Sequence, residues 1–325
     1  MQRTVEMAVE DLRERGLHLQ VKSVDDKEDD RLAVDAAREL GDDPSVIAVL
    51  GHKNSGPSKA AAPVYAGAGL AQITQCSTDN SLSRSGWKTF FRMCATNERQ
   101  AEVAAAFAHA RLPGARTLAV HDGTAYGRPL VEAFARRLES LSDNPVRVMA
   151  MRVGQEDFSE IVDEIKTVGA EIVDLGATEI ESSKLMKAIG SAGLRPLVIS
   201  SEGGPDNPIV RLTGAAGEGS VHTYAGFDPM ATSESLKLVA RCRAAFGETP
   251  SYVVECYDAV MVIAGALDRG ASNRAEVRDA IAATDLQGLS GRIRFDAGGD
   301  RIDAPVSLWT IYAGKMVPLS EAVRP

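Results

Sequence analysis

The chain has 325 residues, more than one hydrophobic core usually supports, so two domains are expected. It is 44% hydrophobic and 25% charged, an ordinary globular composition, and its net charge of −9 disfavours nucleic acid and anionic membrane as partners. No apolar run approaches the roughly 20 residues of a membrane span.

Val5, Ala8, Val9 and Leu12 recur at helical spacing, and Gly16 follows as a stop. Leu17, Leu19 and Val21 alternate with His18, Gln20 and Lys22, which predicts a strand over 17–21. Leu32, Ala33, Ala36, Ala37 and Leu40 predict a second helix ending near Gly41, and 46–50 reads as a short buried strand. Helix 57–66 is followed by strand 71–74, helix 98–110 by strand 117–121, and helix 128–141 by strand 146–151. Helix 158–168 then precedes strand 171–175, and helix 182–192 precedes strand 196–200. Alternation at these lengths implies parallel sheets with helices on both faces. From Ser233 the rhythm changes to helices 233–246, 252–269 and 273–284, then strands 292–295 and 307–312. The expected class is therefore α/β, with two α/β stretches and a helical return. A doubly wound domain normally begins with a strand, whereas this chain begins in a helix, so a first strand is expected to be missing.

The opening, MQRTVEMAVEDLRERG, has no apolar centre and carries acids throughout, unlike a signal peptide. Cys76, Cys94, Cys242 and Cys256 show no CxxC or zinc spacing, which points to small core residues; spacing neither requires nor forbids a Cys242–Cys256 bridge.

In open α/β sheets, ligands bind beyond the carboxyl ends of strands, near helix N-termini. The loop after 46–50 carries Ser55 before Gly56 and Pro57, which reads as a plain helix cap or as a cradle for a carboxylate. The loop after 71–74, Gln75-Cys76-Ser77-Thr78-Asp79-Asn80, is dense in donors and acceptors, suited to a self-bonded turn or to a polar ligand. Tyr126 follows strand 117–121 and reads as a half-buried core ring or as a lid on an apolar ligand portion. Glu202 follows strand 196–200 before two glycines, as a solvated carboxylate or as the partner of an ammonium. Hydroxyls and amides for a carboxylate, with a glutamate for an ammonium, suit a zwitterion. Enzyme signatures are poor: there is no P-loop ending, no GxGxxG after a strand and no GxSxG elbow. His52 and His121 stand at strand ends, where a structural placement is expected of both, and no metal or cofactor is implied.

The run VIAVLGHKNSGPSKAAAPVYAGAGLAQITQCSTDNSLSRSGWKTFFRMCAT resembles the first-lobe core of the leucine/isoleucine/valine-binding proteins of ABC transporters. LAVHDGTAYGRPLVEAF, GQEDFSEIVDEIKTVGAEIVDLG, LRPLVISSEGG, ETPSYVVECYDAVMVIAGAL and GLSGRIRFDAGGDR resemble later family segments, in order, over nearly the whole chain. The resemblance implies a type I periplasmic-binding fold: two doubly wound, Rossmann-like lobes joined by three crossings and closing on ligand by a hinge motion. It divides the chain into 1–95 with 225–303, and 96–224 with 304–325. Carried over, Ser55 with the Ser77/Thr78 turn would hold the α-carboxylate and α-ammonium of an amino acid, helped by a carbonyl near Cys76. Tyr126 would close over the ligand, Glu202 would pair with the ammonium, and Tyr257 would lie near the pocket wall. An ABC permease would be the partner, and the place periplasmic or at the cell surface.

The chain also departs from the pattern. The family's first strand and export signal have no counterpart, which a start further upstream would restore together; read literally, the sequence is cytoplasmic. Glu28 and Asn54 stand where some members carry a cysteine pair, Gln75 replaces a proline, and Ala177-Thr178-Glu179 stands where some members place tyrosines. The pocket is therefore expected to be more polar. A second reading from a different class is a sensory domain of the same fold, coupled to a regulator or kinase.

Overall fold

In the computed structural model, which describes residues 1–201 and 203–322, the helical and strand periodicities become elements that collect in two compact units. One contains Met1–Thr96 and Gly226–Pro305, the other Asn97–Ala225 and Val306–Pro325. The chain thus passes between them three times.

The first unit opens with α1 (Gln2–Glu14) and α2 (Asp30–Asp42), the latter capped by the Asp29 carboxylate, which accepts the Arg31 and Leu32 amides. β1 (Ala48–Leu50), α3 (Ser55–Gly67), β2 (Ala71–Thr74), α4 (Ser81–Arg84) and β3 (Phe90–Arg92) follow. The three strands pair in parallel in the order β1-β2-β3, with Val49 opposite Gln72 and Ile73 opposite Phe91.

The second unit runs through α5 (Asn97–Arg111), β4 (Thr117–His121), α6 (Gly127–Ser142), β5 (Arg147–Ala150) and α7 (Ser159–Val168). It continues with β6 (Ile172–Gly176), α8 (Glu179–Ser191), β7 (Leu197–Ser200), α9 (Ile209–Thr213) and β8 (Val221–Tyr224). The chain returns to the first unit for α10 (Ser233–Phe246), α11 (Val253–Asp268), α12 (Arg274–Ala282) and the antiparallel pair β9 (Leu286–Gly288) and β10 (Gly291–Ile293). It ends in the second unit with β11 (Ser307–Tyr312), β12 (Lys315–Pro318) and α13 (Leu319–Ala322).

The second unit's sheet has the order β12-β11-β8-β7-β6-β4-β5, parallel from β5 to β8 and antiparallel at β11 and β12. Winding reverses between β4 and β6. That is a topological switch point, where two neighbouring crossovers leave the sheet in opposite directions and open a crevice. Successive residues of the central strands serve opposite faces. Leu118, Val120, Val173 and Leu175 pack with Ile161, Ile165, Leu185 and Met186, while Ala119, Ile172 and Ile199 pack with Ala101, Ala105, Val131 and Phe134. In the first unit, Ile73, Phe91 and Met93 pack against Ala259, Val262 and Ala266 of α11 and Val277 and Ile281 of α12.

Two groups of expectations need correction. Residues 17–21 form no strand. Leu17 and Leu19 do pack, against the cluster of Ala8, Leu12 and Val260, but no described strand lies beside them to complete a ladder. Strands β3, β8, β9 and β12 went unpredicted. β3 carries a charge, Arg92, and β8 carries His222 and Thr223, so neither reads as a buried run; Arg92 is met by the distant Asp300, Thr223 by the distant Gln100, and His222 by its near neighbour Ser220.

Candidate functional site

In the first unit, the carboxyl ends of β1 and β2 carry two loops stitched together by hydroxyls. The carbonyl of His52 accepts from Thr74 Oγ1 at 2.9 Å and lies within bonding distance of Ser77 Oγ, at 3.1 Å, and Ser58 Oγ, at 3.3 Å. Ser77 Oγ also lies 3.2 Å from the Lys53 carbonyl and 2.7 Å from Ser58 Oγ. A hydroxyl has one proton to give, so the Ser77 side chain is occupied in bracing these loops. The Ser77 amide donates to Thr74 Oγ1 at 3.0 Å, and Cys76 Sγ donates to the Lys53 carbonyl at 3.0 Å. His52 is itself held through Nδ1 on Asp26 at 2.6 Å and Nε2 on Tyr65 Oη at 3.1 Å, a structural placement.

Ser55 opens α3, where Pro57 supplies no amide proton and intrahelical bonding begins with the Ser58 amide on the Asn54 carbonyl. The first amides of a helix and its dipole favour an anion. Ser55 Oγ accepts the Asp79 amide at 3.3 Å and keeps its own proton to donate. Thr78 is 1% exposed, and its Oγ1 has no hydrogen-bond partner among the described residues; the same holds for Oε1 of Gln75, 2% exposed. Unpartnered buried polar atoms are uncommon because each forfeits its hydration without return. Two of them lie on one turn, which the Asp79 amide ties to Ser55 at the start of α3.

Arg92 at the end of β3 braces that turn, and the sequence reading did not single it out. Its guanidinium is fully buried and donates to the carbonyls of Ser77 at 3.1 Å and Asp79 at 2.8 Å, to Ser83 Oγ at 3.0 Å, and to Asp300 Oδ1 from Nε at 2.8 Å and Nη2 at 2.5 Å. An arginine inside a strand between two phenylalanines and a methionine was the available signal: such a charge has to meet a fixed anion.

In the second unit, Tyr126 lies beyond β4 at the switch point. Its hydroxyl donates to the Ser201 carbonyl at 3.0 Å, which also accepts Gln100 Nε2 at 3.1 Å. Asp122 opens the loop after β4, with Oδ1 accepting from Thr124 N at 3.0 Å and Thr124 Oγ1 at 2.6 Å. Gly127 and Gly176 meet so closely that a Cβ on Gly127 would stand 2.1 Å from the Gly176 carbonyl, which brings the start of α6 directly onto the end of β6. His121 Nδ1 accepts the Gly123 amide at 3.0 Å, and burial with the nearby Arg128 holds its pKa below the ordinary value, so the ring is a neutral acceptor. Thr178 donates to Glu181 Oε2 in the first turn of α8. Glu202 lies outside the described residues.

Tyr257 on α11 donates to Asp11 Oδ2 at 2.8 Å, and Asp11 also holds Arg241 at 2.7 Å, so this hydroxyl ties α11 to α1. The structure therefore gathers Ser55, Cys76, Ser77 and Thr78 on adjoining loops and engages Tyr257 elsewhere in the same unit. Cys242 and Cys256 are both thiols, so no bridge joins them. No described helix is long and apolar enough to cross a membrane.

The sequence profile of the periplasmic binding proteins matches residues 1–315. A Leu/Ile/Val-binding protein homologue of Brucella melitensis is 29% identical over 249 residues, covering 77% of this chain and 67% of its own. An amino acid binding protein of Pseudomonas aeruginosa is 27% identical over 300 residues, 91% of this chain and 79% of its own. Among solved structures, a leucine binding protein from Thermotoga maritima matches with a TM-score of 0.87 at 24% identity, over 97% of this chain and 92% of that one. A branched-chain amino acid transporter substrate binding protein from Streptococcus pneumoniae, in complex with isoleucine, matches with a TM-score of 0.87 at 20% identity, over 97% and 91%. The two structures agree on the type I periplasmic-binding fold. With a profile match along almost its full length, the chain belongs to the periplasmic binding protein family, whose members bind solutes and are not enzymes.

Proposed function

We propose that this protein is the substrate-binding component of an ABC-type importer and that it takes up an amino acid, branched-chain or more polar, outside the cytoplasmic membrane. The observation that carries this reading is the Thr78 hydroxyl, buried without a partner beside the first amides of α3. In this reading Ser55 Oγ–H, the α3 amides and Thr78 receive the α-carboxylate, and a carbonyl at Cys76 accepts from the α-ammonium. Tyr126 covers the ligand and Glu202 pairs with its ammonium. Movement about the three crossings is the response to ligand, and a permease is the partner. The names of the relatives from Brucella and Pseudomonas support the amino-acid class. Thr178, bonded to Glu181 where some members place a tyrosine, supports a ligand with a polar portion.

The test is thermal unfolding against a panel of amino acids and their amides. A ligand at about 1,000 times its dissociation constant stabilises by about 4 kcal/mol. At about 2–4 °C per kcal/mol, the midpoint should rise by about 8–16 °C. A shift confined to one class of amino acid is the expected result, and no shift with any of them would defeat the reading.

A further inference from the structure

Glu255, in the first turn of α11, is fully buried, bonds beside one passage of the chain between its units and acts electrostatically on groups that lie next to the other two. Its Oε1 accepts the amide of Phe227 at 2.6 Å, just after the chain re-enters the first unit at Gly226. Cys94, whose thiol Glu255 influences electrostatically, lies just before the first passage at Thr96. Arg301, a cation that stabilises the Glu255 carboxylate electrostatically, lies just before the last passage at Pro305.

The fit is incomplete in a specific way. Glu255 Oε2 and Arg301 Nε both lack a hydrogen-bond partner among the described residues, although each belongs to a side chain more than nine-tenths buried. Arg301 gives its other nitrogens to Ser290 Oγ at 2.7 Å, the Ser290 carbonyl at 2.8 Å and the Arg292 carbonyl at 3.3 Å. Asp258, one turn along α11, adds repulsion and is itself satisfied by the amides of Leu289 and Ser290, each at 2.9 Å, and by Ser290 Oγ. Glu255 is therefore a carboxyl with one anchored oxygen, one stranded oxygen and a guanidinium that answers it only at a distance.

We propose that Glu255 is a proton-operated latch on the passages: neutral, it stays sealed and holds Phe227, and ionised, it favours an opened arrangement in which water reaches the carboxylate and the passages loosen. The driving force is hydration. A buried carboxylate without full hydrogen bonding gains most from any motion that admits water, whereas a neutral carboxyl gains little. Burial pushes the Glu255 pKa up from 4.5 to about 7, against the Phe227 amide and Arg301, which lower it, so the latch operates near neutrality. By linkage, an opened state with an ordinary carboxyl is favoured about tenfold more for each pH unit between 4.5 and about 7, and the effect levels off above that. The proposal is independent of which ligand the protein binds.

The test is amide hydrogen exchange on the full chain between pH 5 and pH 8, corrected for the intrinsic pH dependence of exchange. The opening equilibrium at the Phe227 amide, and at amides flanking the other two passages, is expected to rise about tenfold per pH unit up to about 7 and then flatten. Glu255→Gln, which keeps an acceptor for Phe227 and cannot ionise, should be flat; this also separates Glu255 from Asp258, whose carboxyl burial likewise pushes up. A flat wild-type profile at Phe227 overturns the proposal, as does an equal slope in the variant. A slope shared by every amide of the first unit also overturns it, because the opening would then be global. If Glu255→Gln does not fold, the contrast within wild type between the passage amides and those of α12 decides the same question.

Discussion

Replacing Arg92 by methionine keeps much of the side chain's length and apolar stem while removing the guanidinium. The loss can be worked from its contacts: two bonds to Asp300 Oδ1, one to each of the Ser77 and Asp79 carbonyls, and one to Ser83 Oγ. Arg92 is 0% exposed and Asp300 21%, so solvent replaces little of what is lost. Breaking a buried pair by removing one partner costs about 3–5 kcal/mol, mainly because the other charge is left unanswered. At about 2–4 °C per kcal/mol, Arg92→Met should lower the unfolding midpoint by about 6–20 °C. Calorimetry of Arg92→Met, Asp300→Asn and the double variant measures the pair. Since Asp300→Asn removes the orphaned carboxylate, the double variant should be less destabilised than the two single changes added together, by about 1 kcal/mol or more. A loss below about 1 kcal/mol for Arg92→Met, or strict additivity, would refute the account of Arg92 as the brace of the Ser77–Thr78 turn.

Two further outcomes are expected. Thr78→Val removes a hydroxyl that bonds to nothing among the described residues, so stability should hold or rise slightly while amino-acid affinity falls roughly two- to tenfold, the net worth of one hydrogen bond. Equal dissociation constants in titration calorimetry would remove Thr78 from the site. Asp174, in the centre of β6, has a carboxyl that burial pushes well above its ordinary 3.8. Its folded pKa exceeds its unfolded one, so the stability it allows is complete below 3.8 and is lost as pH rises through the raised value. Asp174→Asn should therefore gain on wild type in urea unfolding as pH rises from 4 towards 8, and a difference independent of pH would show that the carboxyl ionises in the folded chain as readily as in the unfolded one.

Much of the fold was legible because the relevant signals are local. The strand over 71–74 and the helix over 233–246 each have a single period and a clear stop, and both stand where their spacing places them. The candidate loops were legible for a topological reason: in parallel sheets, every strand's carboxyl end falls on one side, so Ser55, Ser77 and Tyr126 share that end of their own sheets. Strand 17–21 failed because alternation describes a face and not a partner, and a ladder needs a neighbour. β3 and β8 were missed because polar residues in them are satisfied from far along the chain, Arg92 by Asp300 and Thr223 by Gln100.

The sequence by itself determined most of the elements, their alternation and the chemical character of each loop, since these depend on neighbours within a few positions. Only the tertiary structure decided which polar atoms remain available. Ser77 and Thr78 are adjacent hydroxyls of similar chemistry, yet one is enclosed by the His52 and Lys53 carbonyls and the other is buried without a partner. Tyr257, which the resemblance sets near the pocket wall, gives its hydroxyl to Asp11. A hydrogen-bonding group is functional or structural according to what already satisfies it, and its partners arrive from residues that no local pattern can specify.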